Sequence, residues 1–470
     1  MLRFALLAAV PCLLAAQTGR FYFLELTTAE SPKGREVAVA GGTLNLAPGA
    51  CSAEARIARN QEAAKPATPK LACKLDDPAS LALDAPSGLG GSLHVIAGEG
   101  NKLLIATGSK PGVHTFFAAF AVAPAGSPAA PAATAPIPTN GLYRSAWLQA
   151  EPHAPRGFTS GYLTFPFTPR RMDEQASLIN HSTEFDDVCR LMSMPLPKLE
   201  LAPTGLGTIT FSPTDVNNPL RGSREIMFSP DGAFFLAWST AAGSRDFFVG
   251  LRADPDASSY SWMGAFAIAE LYATVPYELN SKPAALNTAL GSARNAGGGF
   301  LELEENLWDG KTSTALTTRN AYRIGTDGSS MLGPVARPTE TNLAIGGNPV
   351  AFLGAQLGPL NELSLDHGIF FGIRLSQQVP PAPAPLAVTH ADGSAVEPSK
   401  PAKVGEAVSI ALPNAKPGPV HVLIDGLEAQ AKPGTPLTVT VPQLKRFGNV
   451  PLAVSAPGVV HDITDLPVQP

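Results

Sequence analysis

The sequence predicts an all-β fold of three tandem antiparallel β-barrels of calycin-like type, followed by an immunoglobulin-like β-sandwich. Three observations predict this fold class. One kind of hairpin occurs three times, strand-like runs alternate with turn residues throughout, and helical periodicity is almost absent. A flattened β-sandwich is the alternative for each repeat, because short strands and turns are typical of both architectures.

Each hairpin joins two apolar strands, and the second strand carries two consecutive phenylalanines. The strands are residues 102–106 and 115–120, residues 233–238 and 246–251, and residues 350–355 and 368–375. A similar aromatic position begins each repeat, at Tyr22, Tyr143 and Trp262, so the period is 121 and then 119 residues. This period is the size of a small β domain and exceeds that of a solenoid repeat.

Alternation along these strands predicts which phenylalanine of each pair is buried. In an antiparallel strand with one buried face, successive side chains point to opposite sides. In the second repeat Phe247 is in phase with the apolar Val249, so we expect Phe247 to point inward. Phe116 and Phe370 are its expected buried counterparts. Phe248 is then an expected outer contact, for a neighbouring domain or a partner.

Composition supports a turn-rich globular protein. Hydrophobic residues make up 44% of the chain, which is enough for ordinary cores, and charged residues only 16%. The 44 glycines and 46 prolines favour short strands with many turns. The net charge of −5, without a Lys/Arg patch, predicts no nucleic-acid partner.

Residues 1–16 read as a secretory signal peptide, with Arg3 before an apolar run. The run is too short for a transmembrane helix, and no later segment is long and apolar enough to span a bilayer. We therefore expect a secreted or extracellular protein, with the periplasm as the other location. Exported proteins tolerate disulfides, so we expect a Cys51–Cys73 bridge around the polar loop between them. Cys189 is then an expected buried thiol.

Proline-rich stretches divide the remaining chain into four modules. The first repeat covers residues 19–122, and an Ala/Pro linker covers residues 123–139. The second and third repeats cover residues 140–253 and 258–375, with a break so short that we expect them to pack together. A linker at residues 376–385 precedes the last module, residues 386–470. The best helix candidate is residues 172–179.

Three phrases in the last module carry a family resemblance. They are VHVLIDGLEA at 420–429, LTVTVP at 437–442 and PLAVSAPGV at 451–459. In this order they resemble the Solibacter-type C-terminal domain of exported bacterial proteins, although Asp425 stands where that family usually has glycine. The repeated domains also resemble those found ahead of this module. The resemblance implies secretion and an immunoglobulin-like sandwich, and it brings no catalytic residues.

No motif predicts a catalytic residue, a cofactor or a metal. Residues 310–312, Gly-Lys-Thr, have Glu305 where a phosphate-binding loop needs glycine, so a hairpin turn is expected. Ser364, Asp366 and His367 lie in one expected loop, whereas the members of a catalytic triad come from separate segments.

The tryptophans are expected to divide into core residues and one contact residue. Trp147, Trp238 and Trp262 lie in the repeated strands, where aromatic side chains anchor a core. Trp308 lies in a turn and is the expected exposed contact.

The sequence leaves three functional hypotheses. The first is an exported, non-catalytic structural or adhesive protein whose partner is unknown, with a cell-envelope component or a glycan as the expected kind. The second is a binding protein that holds small apolar ligands or glycans in the barrel repeats, and the third is a hydrolase. Barrels filled by Phe and Leu favour the first hypothesis, and an open cavity favours the second.

Overall fold

A computed structural model provides the three-dimensional structure. It describes residues 19–31, 34–47, 50–77, 80–124, 136–152, 157–169, 174–182, 190–212, 220–243, 245–254, 262–276, 284–295, 300–324, 329–334, 343–356, 359–361, 364–377, 386–412, 420–424, 427–432, 434, 436–444, 447–455 and 464–470. The predicted signal peptide, Cys189 and most of both linkers lie outside the described residues. The described residues form β-strands, turns and one short 3-10 turn, Glu99–Asn101, so the predicted all-β class is confirmed.

The first sheet curls into what we call barrel 1. Its strands are β1 (Gly19–Ser31), β2 (Gly34–Ala47), β3 (Ala50–Arg59), β4 (Lys65–Ala67), β5 (Lys70–Leu71), β6 (Cys73–Asp77), β7 (Ser80–Asp84), β8 (Ser92–Ala97), β9 (Leu103–Gly108) and β10 (Val113–Pro124). Strands pair with their neighbours in sequence, and β1 pairs with β10. This is the order of an up-and-down antiparallel barrel.

An interrupted strand connects the two edges of the barrel 1 sheet. β4 and β5 pair with β3, whereas β6, which follows β5 after one residue, pairs with β7. The segment from β4 to β6 therefore links the two edges of the sheet. A disulfide joins Cys51 in β3 to Cys73 in β6, so the bridge crosses these same edges.

The second sheet, barrel 2, repeats this arrangement. Its strands are β11 (Leu142–Ala150), β12 (Phe158–Pro166), β13 (Gln175–Ser182), β14 (Arg190–Pro195), β15 (Lys198–Leu201), β16 (Leu206–Phe211), β17 (Gly222–Phe228), β18 (Phe234–Trp238) and β19 (Arg245–Arg252). The edge strands β14 and β15 are separated by two residues in sequence. The helix predicted at 172–179 is wrong from Gln175 onward, because β13 pairs with strands on both sides. Residues 172 and 173 lie outside the described residues.

The third sheet, barrel 3, is closed by hydrogen bonds. Its strands are β20 (Gly264–Pro276), β21 (Ala285–Asn295), β22 (Phe300–Trp308), β23 (Ser313–Ile324), β24 (Ser329–Pro334), β25 (Leu343–Asn348), β26 (Ala351–Gln356), β27 (Pro359–Asn361) and β28 (Ser364–Ser376). β20 pairs with both β21 and β28, and this closes the ring. A closed ring is a barrel rather than a flattened sandwich. The loop predicted around His367 is instead the start of β28.

The C-terminal module consists of two small sheets. Its strands are β29 (Val388–Thr389), β30 (Ala402–Lys403), β31 (Ala407–Ile410), β32 (His421–Ile424), β33 (Leu427–Glu428), β34 (Ala431–Lys432), β35 (Leu437–Thr440), β36 (Gly448–Ser455) and β37 (Thr464–Gln469). One sheet has the order β29-β31-β35-β34 and the other β30-β37-β36-β32-β33. Both contribute to one core, for example Val439 from the first and Val422 from the second. Two sheets around one core make a β-sandwich.

The three barrels pack around one hydrophobic cluster, which we call the shared core. It is built from outward-facing side chains of all three barrels, such as Leu26, Leu148 and Leu271. A void of about 10 Å³, the size of one water, lies beside its Leu236, Val249 and Phe371 side chains. The three barrels therefore pack into one body and are not independent domains on a string of linkers. The first and last strands of each barrel are buried on both faces.

Burial on both faces overturns the predicted facing of the phenylalanine pairs in barrels 1 and 2. Phe116 and Phe247 point outward into the shared core, where their ring centroids lie 5.1 Å apart. Phe248, expected outside, points into barrel 2 and is 1% exposed. In barrel 3 the predicted facing is confirmed, because Phe370 lies inside and Phe371 in the shared core. The prediction assumed one solvent-facing side, and these strands have none.

Candidate functional site

Aromatic side chains fill the interior of barrel 2. The Trp147 and Phe248 rings stack with centroids 5.8 Å apart, and the Phe211 and Phe248 rings stack at 6.1 Å. The guanidinium of Arg224 lies 5.2 Å from the Phe248 centroid and is paired with Asp246 at 2.8 Å. Both charged side chains are almost fully buried. A cation held between a carboxylate and aromatic faces is satisfied within the barrel.

Barrel 1 contains a buried carboxylate below a similar aromatic stack. Phe23 and Phe117 stack at 5.8 Å, and Glu25 lies opposite Phe117 in the strand register. Glu25 accepts hydrogen bonds from the Ser87 amide at 2.9 Å and from the Thr27 hydroxyl at 2.6 Å. Burial raises the pKa of Glu25 above its ordinary value, although these hydrogen bonds oppose the shift. These hydrogen bonds from Ser87 and Thr27 satisfy the buried Glu25 carboxylate within barrel 1.

Barrel 3 holds two glutamates in its interior. Glu270 lies opposite Phe370, the position that Glu25 has opposite Phe117 in barrel 1. Glu270 and Glu305 share a hydrogen bond, and burial raises the pKa of Glu305 to about 7. Two carboxylates in such contact hold one proton between them. The direct contact differs from the separation of about 5 Å that a retaining glycosidase keeps between its two carboxyl groups.

Sequence reasoning missed this pair, although a signal for Glu270 exists. It lies two residues after Ile268, in the phase that points into barrel 3. A charged residue at an inward position of an apolar strand indicates a buried, partnered carboxylate. For Glu305 the signal is hidden, because its neighbour Glu304 is exposed and the run reads as a solvated charged stretch.

Trp308, the expected exposed contact, is committed to another barrel. Its side chain is only partly exposed, and its indole nitrogen donates a hydrogen bond to the Val113 carbonyl at 3.2 Å. The adjacent turn has the predicted hairpin form, because the Asp309 carboxylate accepts from the Lys311 and Thr312 amides. The expected exposed contact is a half-buried side chain that has a hydrogen-bond partner in barrel 1. The contact joins barrels 3 and 1.

An open groove of about 330 Å³ lies on the outside of barrel 1, beside the disulfide. β4 and β5 pair with β3 in one continuous register, and the pairing stops between them at Thr68 and Pro69. Pro69 has no amide hydrogen, which explains the interruption. The polar side chains that line the groove are those of Asn45, Ser52, Glu54, Thr68 and Lys70.

The described residues lack both metal-binding clusters and membrane-spanning helices. They contain no group of three or more His, Cys, Asp or Glu side chains placed to hold a metal ion. They also contain no apolar helix of membrane-spanning length.

Comparison with known proteins assigns no family. No protein-family model and no curated protein matches the chain. A solved structure of unknown function from the DUF3598 family of Nostoc punctiforme is 11% identical, with 50% of this chain and 96% of that chain covered and a TM-score of 0.16. Transferrin binding protein B from Neisseria meningitidis is 9% identical, with 76% and 77% covered and a TM-score of 0.19. CghA in complex with Sch210972 is 9% identical, with 77% and 89% covered and a TM-score of 0.15. At these TM-scores the matches carry no functional argument.

Proposed function

We propose that this chain is an exported, non-catalytic structural or adhesive protein that presents a rigid body of three barrels and a C-terminal immunoglobulin-like domain. The observation that carries the proposal is the filled interior of barrel 2. Trp147, Phe211 and Phe248 occupy it, and the Arg224–Asp246 pair is satisfied there. A barrel whose interior is packed with side chains acts as a building block rather than as a container.

Export has independent support. The Cys51–Cys73 bridge joins the two edges of barrel 1, and such bridges persist in oxidising compartments. The N-terminal signal-like segment and the resemblance of the last module to exported proteins agree with this.

The test is to express the full chain with its own N-terminus in a secreting bacterial host. We expect a processed chain in the extracellular or periplasmic fraction, with Cys51 and Cys73 oxidised by thiol-labelling mass spectrometry. Native mass spectrometry should give the mass of the polypeptide alone. A reduced chain that stays in the cytoplasm contradicts export. A co-purified small molecule released only on unfolding contradicts the filled barrels.

The barrel 1 groove favours a second candidate, the binding of a glycan unit. Its amide, hydroxyl, carboxylate and ammonium groups offer both donors and acceptors to a polyhydroxylated ligand. A glycan array with the full chain tests this. Binding that falls at least tenfold in Lys70→Met, and is retained in Lys65→Met on the neighbouring exposed strand, supports the groove. Equal binding by both variants places the contact elsewhere.

A further inference from the structure

One buried guanidinium touches all three barrels. Arg35 of barrel 1 is 2% exposed and pairs with Glu30 at 2.7 Å. Its guanidinium lies 4.6 Å from the ring centroid of Phe158 in barrel 2, and it donates a hydrogen bond to the Ala284 carbonyl of barrel 3 at 3.1 Å. Arg35 therefore marks the point where the three barrels meet at one end of the shared core.

A buried histidine lies next to this point. His114 is 3% exposed and stands opposite Thr28 in the register of β1 and β10. Its Nδ1 and the Thr28 hydroxyl are both buried without a hydrogen-bond partner among the described residues. The imidazole is packed against barrel 3, because a Cβ added to Gly310 would lie 3.0 Å from its Nε2. The Arg35 guanidinium is a positive charge already present beside the imidazole, and its carboxylate partner Glu30 is paired with it at 2.7 Å.

Hydrogen bonds join barrel 3 to barrel 1 beside His114. The Gly112 amide donates to the Gly310 carbonyl at 2.9 Å, and the Trp308 indole donates to the Val113 carbonyl at 3.2 Å. We call this contact between the start of β10 and the turn after β22 the His114 seam.

The charged groups around the seam come from each element packed there. They are Glu30 on β1, Arg35 on β2, Lys110 before β10, and Asp309 and Lys311 in the turn after β22. Burial and the Arg35 charge lower the pKa of His114 to about 4, and Asp309 opposes this shift. A released His114 would titrate near 6.5. Acid therefore favours the state in which the imidazole is exposed.

We propose that the His114 seam is an acid-sensitive joint: it is closed while the imidazole is uncharged, and protonation of His114 beside Arg35 separates barrel 3 from barrel 1 at this end of the shared core. This goes beyond the proposed structural role, because it makes the contact between barrels 1 and 3 open in acid. The contact of Phe116 with Phe247 in the shared core involves no titrating group and stays closed.

The Gly112 amide reports the seam directly, because its hydrogen bond crosses from barrel 1 to barrel 3. The test is amide hydrogen exchange on the full chain between pH 7 and pH 4, corrected for the intrinsic exchange rate. A pKa change from 6.5 to about 4 increases the opening equilibrium by about 100-fold between pH 7 and pH 4, so the protection at Gly112 should fall by about that factor. The Ala64 amide, which donates to the Thr240 carbonyl between barrels 1 and 2, should keep its protection.

Variants assign the effect to His114. His114→Gln should keep the protection at Gly112 down to pH 4, and His94→Gln on the same barrel should behave as the wild type. Asp309→Asn, a conservative change at an exposed turn residue, should increase the loss, because the closed state then binds the proton more weakly. The proposal is overturned if Gly112 in His114→Gln loses as much protection in acid as it does in the wild type. It is also overturned if the Ala64 amide of the wild type loses as much protection as Gly112. If His114→Gln does not fold, a loss in Asp309→Asn no larger than in the wild type overturns it.

Discussion

A Cβ atom added to Gly41 in barrel 1 would lie 2.6 Å from the indole Nε1 of Trp238 in barrel 2. Trp238 is 1% exposed and belongs to the shared core. The glycine lets the two barrels approach until the indole rests on the β2 backbone. The position shows that the repeats are adapted to one another.

Gly41→Ala should destabilise the protein by about 1–3 kcal/mol, because the buried indole has little room to move. Gly108→Ala is the matched control in the same barrel, since its added Cβ would meet nothing closer than 3.4 Å. Urea denaturation monitored by circular dichroism measures both. Equal midpoints for the two variants would show that the barrel 1–barrel 2 contact is loose.

The phenylalanine pair of barrel 2 should be costly to truncate at both positions. Phe247→Ala opens a cavity in the shared core and Phe248→Ala opens one inside the barrel, and each should cost about 3–5 kcal/mol. Leu316→Ala, at a 37% exposed position, should cost less than about 1 kcal/mol. A small loss at either phenylalanine in chemical denaturation would contradict burial on both faces.

The hairpins of the repeats could be predicted from the sequence, because apolar runs and turn residues that are close in sequence determine them. The hairpin of the second repeat is observed as β18 and β19, within one residue of its expected ends. The facing of Phe247 was not predictable from the same pattern. Both phases of β19 contain phenylalanine, and the partner ring of Phe247 is Phe116, more than a hundred residues away. Packing between repeats leaves no local signal.

The buried polar contacts were even less predictable from local sequence patterns. Arg35 and Ala284 are 249 residues apart in sequence, and only the folded chain brings them together. A lone arginine near a strand end reads as a solvated charge. Glu270 was recognisable in principle, because it interrupts an inward apolar phase, whereas its pairing with Glu305 depends on the strand register of barrel 3.

The disulfide should stabilise barrel 1 substantially. Cys51 and Cys73 are 22 residues apart, and closing a loop of this length restricts the unfolded chain by about 3 kcal/mol. Replacing both by serine should lower the unfolding midpoint, and a reducing agent should then have no further effect on that variant. The wild type in reducing agent should approach the variant. A wild-type midpoint insensitive to complete reduction would show that β4 to β6 hold the barrel edges without the bridge.

Two buried groups should give the stability opposite dependences on pH. Folding raises the pKa of Glu305 from 4.5 to about 7. Its contribution to the free energy of unfolding is therefore full below pH 4.5 and is lost as the pH rises through 7. The pKa of His114 is lowered from 6.5 to about 4, so its contribution is full above pH 6.5 and is lost as the pH falls through 4. Between pH 4.5 and pH 6.5, where the two windows overlap, the contributions of Glu305 and His114 to the free energy of unfolding largely cancel.

Single variants should separate these two terms. Relative to the wild type, Glu305→Gln should gain stability as the pH rises from 4.5 to 7, and His114→Gln should gain it as the pH falls from 6.5 to 4. Each change should approach about 1.4 kcal/mol per pH unit, because one proton is linked to folding in each window. Urea unfolding at intervals of one pH unit measures both slopes, with Glu54→Gln at an exposed position as the control. Slopes of the same sign would mean that the barrel 3 carboxylates do not share a proton, or that the His114 imidazole is not held uncharged in the folded protein.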